Sequence, residues 1–437
     1  MEKSYSLKKR VLILGAGFGG LRLYNNLKKD FDILLIDRKT FFEFSPEVPA
    51  SFIDTSKQNG IMIDLESHAK PGTYLQATMV HATPDLVQIQ PTNMDQAIVM
   101  LNAKDWNYRP GQPTTWEGQQ YRTLDLLFDY CVVAIGAMYP EPIGSTAPHI
   151  MARKLEIQSI ADRLASGNYT GVSIVGGGYV GVEMACYAQK VVKDRKLNLP
   201  IRLYNRGPTI CKNVNDKARE YILKELQKKD IHVLVNQPMT PDECRDRGEL
   251  AFDCRGTSQS KNKGFFQNSF ALGEDDCLIG NDYMQVQRKD LNYCPNFFAI
   301  GDCVTFKKNP AKLGFIAMNQ ADFLYDVFET LRKYEKKGKL CHIDLQPRRH
   351  PGEEPAQHPQ LEQLNIKGYS TVKEPQILTM RLGSDVILVT KNKVFSGHVI
   401  KILRSTAYSS SFKALKDSTI GNFISSINKT FGSLLFS

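Results

Sequence analysis

The chain has 437 residues, more than one hydrophobic core usually fills, and its 42% hydrophobic and 23% charged content belongs to a folded protein of two or three domains. A formal net charge of +10 favours anionic partners such as phosphorylated cofactors or acidic lipid, but the lysines are scattered and not interleaved with aromatics, so no nucleic acid is expected as a partner. Nine cysteines with no CxxC pair argue against a disulfide scaffold and for reduced thiols inside a cell, and His342, His350 and His358 are spaced too loosely to predict a metal site.

Met1–Arg10 is too short and polar for a signal peptide and has Glu2 where N-myristoylation needs glycine. No apolar run reaches the roughly 18 residues of a membrane span. The first apolar run, Val11–Leu14, leads into Gly15, Gly17 and Gly20, with Phe18 and Gly19 between them. This spacing turns a strand sharply into a helix, lets a pyrophosphate approach the backbone, and packs helix against strand. Asp37 ends the next apolar run 22 residues after Gly15, where a ribose hydroxyl needs an acceptor, and Arg38 follows it. The aromatic stretch after it, with Pro46 and Pro49, predicts a loop near the first nucleotide.

Alternation in GTYLQATMVHAT and DLVQIQP predicts antiparallel strands carried as an insert, and Gln96–Gln120 reads as an irregular surface loop whose Trp106 and Trp116 serve as local core. Phe128–Ala137 has the form of a buried parallel strand whose end, at Gly136, meets a ligand. A helix over Arg153–Asn168 precedes a second fingerprint, Gly176, Gly178 and Gly181, with Tyr179 and Val180 inside it. The strand that should close this site with an acid ends on Asn205 and Arg206. That arrangement lacks a carboxylate to repel a ribose phosphate and offers a forked donor, so NADPH is expected to serve at least as well as NADH; an arginine facing outward from a loop is the other reading. An amphipathic helix follows within Asn215–Asp230, and the run LAFDCRG closes the second half on Gly256.

The strand NFFAIGD ends on Gly301-Asp302 and is followed by the helical pattern KLGFIAMNQADFLYDVFETL. An acid at a strand end beside a helix start suits a sugar or ribitol hydroxyl with a pyrophosphate; it is also a common turn. Lys336–Pro375 has linker composition. Strands return in QILTMRLG and DVILVT, followed by HVIKILRS and an apolar-periodic tail. In that tail Ile420, Phe423, Ile424, Ile427, Phe431 and Leu434 recur at helical steps. Such a helix either lies in a bilayer interface or docks on the protein body or a second subunit.

Taken in order, GAGFGG, AIGA, GGGYVGVE, CRG and FFAIGDC resemble the two-dinucleotide-binding-domain flavoproteins. Within them the chain is similar to the type II NADH dehydrogenases and the apoptosis-inducing-factor-like ferroptosis suppressors, over about residues 10–410. The resemblance implies an α/β fold: two Rossmann-like three-layer domains, for FAD and NAD(P)H, plus a small C-terminal α+β region. Residues 1–145 and 272–335 would form the FAD domain, 146–271 the NAD(P)H domain, 336–375 a linker, and 376–437 a C-terminal domain with its amphipathic tail. It implies that Gly15, Gly17, Gly20, Asp37, Gly136 and Asp302 hold FAD, with Phe18, Gly19, Arg38 and Val80 beside them. Gly176, Gly178, Gly181 and Glu183 would hold the nicotinamide nucleotide, with Tyr179, Val180, Asn205, Arg206 and Gly256 beside them.

Two departures from the family pattern matter. Disulfide reductases of this superfamily carry a cysteine pair shortly after the first acid, and Arg38–Lys57 has none. Of the amides that mark quinone sites in type II dehydrogenases, Phe315 replaces the first while Asn319 and Gln320 remain. Cys131 and Cys303 read as buried structural thiols, against a sulfide:quinone reductase. Hydride transfer needs ring contact rather than a nucleophile, and Glu183 is the carboxylate expected near the rings, as a catalytic group or as a first-turn acid favoured by the helix dipole. The reading is a FAD-dependent NAD(P)H oxidoreductase delivering electrons to a quinone at a membrane surface. A soluble reductase of another acceptor and a reductase-like structural subunit are the alternatives. An intracellular, peripheral-membrane location is expected, with mitochondrial or cytoplasmic face and a homodimer left open.

Overall fold

Short aliphatic runs bounded by glycine and polar turns make strands buried on both faces, which is the requirement of a parallel sheet covered by helices. In the computed structural model, which describes residues 8–116, 119–258, 261–307, 312–337, 367–369, 378–390 and 393–416, eleven strands form the main sheet. Its heart is parallel, in the order Tyr293–Ala299, Tyr130–Val133, Arg10–Leu14, Asp32–Asp37, Tyr74–Ala82. Leu12 lies opposite Leu34 on one side and Cys131 on the other, and all three are buried. A second sheet of four parallel strands runs Ile231–Val235, Ile201–Asn205, Val172–Val175, Leu250–Asp253. The main sheet takes strands from both sides of this second sheet in sequence. The fold is α/β, with a C-terminal three-stranded antiparallel sheet, Leu378–Leu382, Asp385–Val389 and Val394–Ser396, and a helix, His398–Lys416.

The structure corrects several local expectations. Tyr74–Ala82 does pair antiparallel with Leu86–Pro91, but its other edge pairs parallel with Asp32–Asp37, so it belongs to the main sheet. Gln96–Gln120 is not an irregular loop: Met94–Ala103 is helical, capped by Asn93, and strand Tyr108–Pro110 closes the sheet edge. Trp106 is buried, as local core requires. Pro46 and Pro49 stand second in two short helical turns, Ser45–Glu47 and Val48–Ser51, within the first turn where a missing N–H costs nothing. HVIKILRS, with no element expected from its sequence, is the start of the last helix. Most of the linker and the whole amphipathic run Ile420–Leu435 lie outside the described residues. Among the described residues no helix is long and apolar enough to cross a membrane.

Candidate functional site

The two glycine fingerprints fold into the same cradle. Gly15 (φ +99°) and Gly176 (φ +117°) sit at the strand ends in a backbone conformation that L side chains avoid. A Cβ added there would lie 2.5 Å from the Ala134 carbonyl oxygen and 2.3 Å from that of Cys254, respectively. Gly20 and Gly181 are tighter still: a Cβ on either would be 1.8 Å from the carbonyl oxygen of the first glycine. The middle glycines differ in kind, because around Gly17 the nearest atom to an added Cβ is 3.9 Å away and around Gly178 nothing lies within 4 Å. Each middle glycine caps a helix, Phe18–Leu27 or Tyr179–Asp194, with no side-chain cap and no acid in the first turn. Helices Met94–Ala103, Asp216–Lys228 and Pro241–Asp246 are capped by Asn93, Asn215 and Thr240, while Ile150–Ser166 also starts without a side-chain cap. The two cradles therefore leave first-turn N–H groups to an external anion.

The residue closing each cradle occupies the same place with different chemistry. Asp37 accepts the Ala16 N–H at 2.7 Å on one oxygen and the Lys39 N–H at 2.9 Å on the other. Burial raises its carboxyl above the ordinary carboxylate value, opposed by those two bonds. Asn205 accepts the Gly177 N–H at 3.2 Å, while its amide donates to the carbonyls of Gly207 (2.8 Å) and Thr209 (3.0 Å). Arg206 is exposed beside it. Arg38 is exposed beyond Asp37 and accepts on its carbonyl from Gln76. Val80 falls in the irregularity between Met79 and His81, where the strand register shifts. Gly136 and Gly256 end neighbouring segments with open space where a Cβ would stand.

Another helix without a side-chain cap, Gly314–Lys336, meets the first cradle. Gly314 lets it approach, since a Cβ there would lie 2.9 Å from the Phe18 ring, and Gly19 faces Ile300 and the Ala317 carbonyl. Arg22 clamps Asp322 with two bonds, at 2.6 and 3.1 Å, tying the two helices together. The Gly301-Asp302 turn sits between them, and Gln320, itself buried, accepts the Gly301 N–H at 2.7 Å. One of the two amides expected at an acceptor site is thus spent on holding this turn. Burial pushes the Asp302 carboxyl up, opposed by Lys312. Phe42 and Phe44 pack edge-on against Phe18, at 5.1 and 5.3 Å, so the segment after Asp37 borders the first cradle, but as the strand Phe41–Glu43 and two helical turns and not as the expected loop.

Residues 9–321 match the family model described as pyridine nucleotide-disulphide oxidoreductase. The chain belongs to this family. It is similar to apoptosis-inducing factor homolog B of Dictyostelium discoideum, 24% identical over 77% of this chain and 84% of that protein. It is also similar to ferroptosis suppressor protein 1 of Xenopus laevis, 20% identical over 70% and 77%. Among solved structures, NDH2 from Plasmodium falciparum in complex with NADH superposes with a TM-score of 0.65 at 13% identity, over 97% of this chain and 99% of that one. The family resemblance drawn from the motifs is correct, and the chain is a flavin oxidoreductase that uses FAD and NAD(P)H.

Two further features bear on the site. Glu183, on the second fingerprint helix, is buried and accepts the Arg381 N–H (2.6 Å) and the Arg404 guanidinium (3.2 Å). Arg381 and Arg404 also reach Glu47, at 3.2 and 3.4 Å, and Arg404 lies 4.4 Å over the Tyr408 ring. Burial raises the Glu183 carboxyl, opposed first by Arg404. The C-terminal region is thereby locked to the second fingerprint helix and to the turn Ser45–Glu47. None of Glu47, Arg381 and Arg404 carried a motif in the sequence. The eight described cysteines are free and buried; burial raises the Cys303 thiol to about 12 and the Cys131 thiol well above its ordinary value, which fits inert structural thiols.

Proposed function

We propose that the chain is an NAD(P)H:quinone oxidoreductase working at a membrane surface, with the FAD domain made of residues 1–145 and 272–335 and the NAD(P)H domain of 146–271. The single observation that carries this reading is the duplicated cradle: two uncapped helix starts with room for a pyrophosphate at Gly17 and Gly178, and only the first closed by a carboxylate. These residues fit the cofactors. Gly15, Gly17, Phe18, Gly19, Gly20, Asp37, Arg38, Val80, Gly136 and Asp302 would hold FAD, which when bound supplies hydride acceptance and onward electron transfer. Gly176, Gly178, Tyr179, Val180, Gly181, Asn205, Arg206 and Gly256 would hold NAD(P)H. The first-turn N–H groups neutralise the pyrophosphates, Asp37 accepts ribose hydroxyls, and Asp302 accepts a further hydroxyl of the flavin nucleotide.

The acceptor side follows from what the chain lacks and from its resemblance to type II NADH dehydrogenases. With no cysteine in Arg38–Lys57 to relay electrons, a small acceptor must reach the flavin itself, and a quinone does this without a thiol partner. Glu183 is assigned to positioning, because its bonds run to Arg381 and Arg404. The test is a pair of measurements. Purified protein should be yellow and bleach under NADPH or NADH without oxygen. Asp302→Ala should lose flavin on dialysis, since a buried hydroxyl forfeits a charged acceptor worth about 1.5–3 kcal/mol. A colourless wild-type protein, or a mutant with its full flavin, would overturn the assignment.

A further inference from the structure

The cradles stand at the C-terminal ends of the parallel strands. At the opposite ends, where Arg10–Leu14 and Asp32–Asp37 begin, a cleft of about 550 Å³ opens against helix Phe18–Leu27. Six cations line it, Lys8, Lys9, Arg10, Lys28, Lys70 and Lys104, against three carboxylates, Asp32, Asp105 and Asp129. Lys9 is paired with Asp129 and also, at 3.9 Å, with Glu335 beyond the lining, and Arg10 with Asp105. Asp105 is almost fully exposed, and its carboxylate is 3.7 Å from Arg10, as is that of Asp129 from Lys9. Lys8 and Lys70 donate to the carbonyls of Lys29 (2.7 Å) and Lys28 (2.6 Å), contacts that orient an ammonium without cancelling its charge. The Lys104 stem packs over Gly72, where a Cβ would be 2.7 Å from its Cε. Phe31 and Ile33 give the cleft an apolar component. Burial raises the Asp32 carboxyl, and Lys104, Arg10 and Lys8 oppose it, so these three cations project their field into the same space.

We propose that this cleft binds the headgroup of a lipid carrying clustered phosphomonoesters, of the phosphoinositide class, and that it seats the protein on a membrane. An excess of three positive charges matches two phosphomonoesters, each carrying about −1.5 to −2 near neutral pH. A single carboxylate or a phosphodiester would leave the site under-neutralised. The lipid source is argued from where the chain leads. Asn25 on the same helix donates to the Leu415 carbonyl at 2.6 Å and accepts from Lys28 at 2.8 Å, so the end of the last helix, with Lys413 and Lys416, lies at the edge of the cleft. Twenty-one residues follow Lys416, with apolar side chains at three- and four-residue steps. A headgroup site beside Lys416 would join its charge to the apolar side chains that the sequence supplies next, the combination a membrane surface rewards. The proposal rests on the membrane-surface part of the proposed function, and not on its redox chemistry.

The experiment uses the full-length flavin-loaded protein in vesicle flotation. Three vesicle types are compared: phosphatidylcholine alone, phosphatidylcholine with phosphatidylserine, and phosphatidylcholine with phosphatidylinositol bisphosphate at the same total charge. The bisphosphate vesicles should bind most tightly, and soluble inositol trisphosphate should compete. Lys28→Gln, Lys70→Gln and Lys104→Gln together should weaken that binding roughly a hundredfold, at about a factor of five per lysine. Flavin content and reduction of a water-soluble quinone should be unchanged, because the cleft is at the far end of the strands. Loss of that activity in the wild-type protein would instead defeat the oxidoreductase reading. Equal binding to phosphatidylserine vesicles, full binding by the triple variant, or capture of soluble inositol trisphosphate without vesicle binding would each overturn the lipid site. Competition on the wild-type protein decides the matter if the variant fails to fold.

Discussion

The two cradles share their glycines to within a few tenths of an ångström of steric need, yet they are closed and anchored differently. In the first, a carboxylate takes one backbone N–H on each oxygen and keeps lone pairs for a ligand, and the helix behind it is clamped by Arg22 to Asp322. In the second, an amide spends both donors on its own loop, and the helix behind it is clamped through Glu183 to Arg404. A glycine pattern thus specifies a place for a pyrophosphate, while the closing residue decides which sugar it tolerates. The anchor decides which distant part of the chain feels the site. The last helix touches both: Arg404 reaches the second fingerprint helix and Leu415 accepts from Asn25 on the first.

The largest expected effect tests the second anchor. Arg404→Leu leaves the buried Glu183 without a guanidinium and Glu47 with that of Arg381 alone, and should cost about 3–5 kcal/mol in denaturant unfolding. Glu183→Gln separates positioning from catalysis. If Glu183 only positions, flavin reduction by NADPH persists, and the stability difference depends on pH in a defined direction. Burial raises the native carboxyl, so the native state binds more protons than the unfolded state between the ordinary and the raised value, and wild-type stability falls as pH rises through that window. Relative to wild type, Glu183→Gln should therefore gain stability with rising pH there and show no trend below the ordinary carboxylate value. A rate loss beyond about tenfold at unchanged stability would make Glu183 a catalytic group, since tenfold is about 1.4 kcal/mol of barrier.

Next comes a symmetric pair. Gly20→Ala and Gly181→Ala each put a Cβ 1.8 Å from a carbonyl oxygen, forcing helix away from strand at about 1–3 kcal/mol or more. Gly20→Ala should emerge colourless. Gly181→Ala should stay yellow but bleach slowly, with nucleotide binding weakened about tenfold to a hundredfold by the same overpacking. Identical colour loss in both would show that the cradles do not divide the cofactors.

What was legible in the sequence was what is local. The turn at Gly15, the acid ending Asp37 and the Gly301-Asp302 corner each need only a few neighbouring residues. Helix Met94–Ala103 was missed although Met94, Ala97, Ile98 and Leu101 lie on one helical face, because Val99, 69% exposed, and Met100 continue the apolar run past that face and blur its period. The capping pair Asn93 and Gln96 was the available signal. The start of the last helix was passed over for a similar reason, since HVIKILRS exposes Val399 and Ile402. The Glu47, Glu183, Arg381 and Arg404 cluster could not be read at all. Its members lie as much as 357 residues apart and pair only because the C-terminal region folds back on both fingerprint helices. Gln320 carried a family expectation, and the fold uses it for the Gly301 N–H instead.

The smallest effect goes to the closing residue of the second cradle and sharpens the comparison most. Asn205 has neither charge nor spare donors, and Arg206 is exposed next to it, so a ribose phosphate meets no repulsion and one forked cation. Arg206→Ala should lower kcat/KM for NADPH about tenfold and leave NADH nearly unchanged, the size of one exposed charge-assisted contact. Asn205→Asp should act in the same direction by restoring the first cradle's chemistry: a carboxylate accepting the Gly177 N–H would favour the free ribose hydroxyls of NADH. It would also remove both amide N–H donors, one from the Gly207 carbonyl and one from that of Thr209, so its loop should loosen as well. The two substitutions can be told apart by salt. Loss of attraction in Arg206→Ala shrinks the salt dependence of NADPH use, whereas a repelling carboxylate makes NADPH use improve as salt rises. An unchanged NADPH-to-NADH ratio in Arg206→Ala would place that arginine outside the nucleotide site and leave Asn205 alone to set the sugar preference of the second cradle.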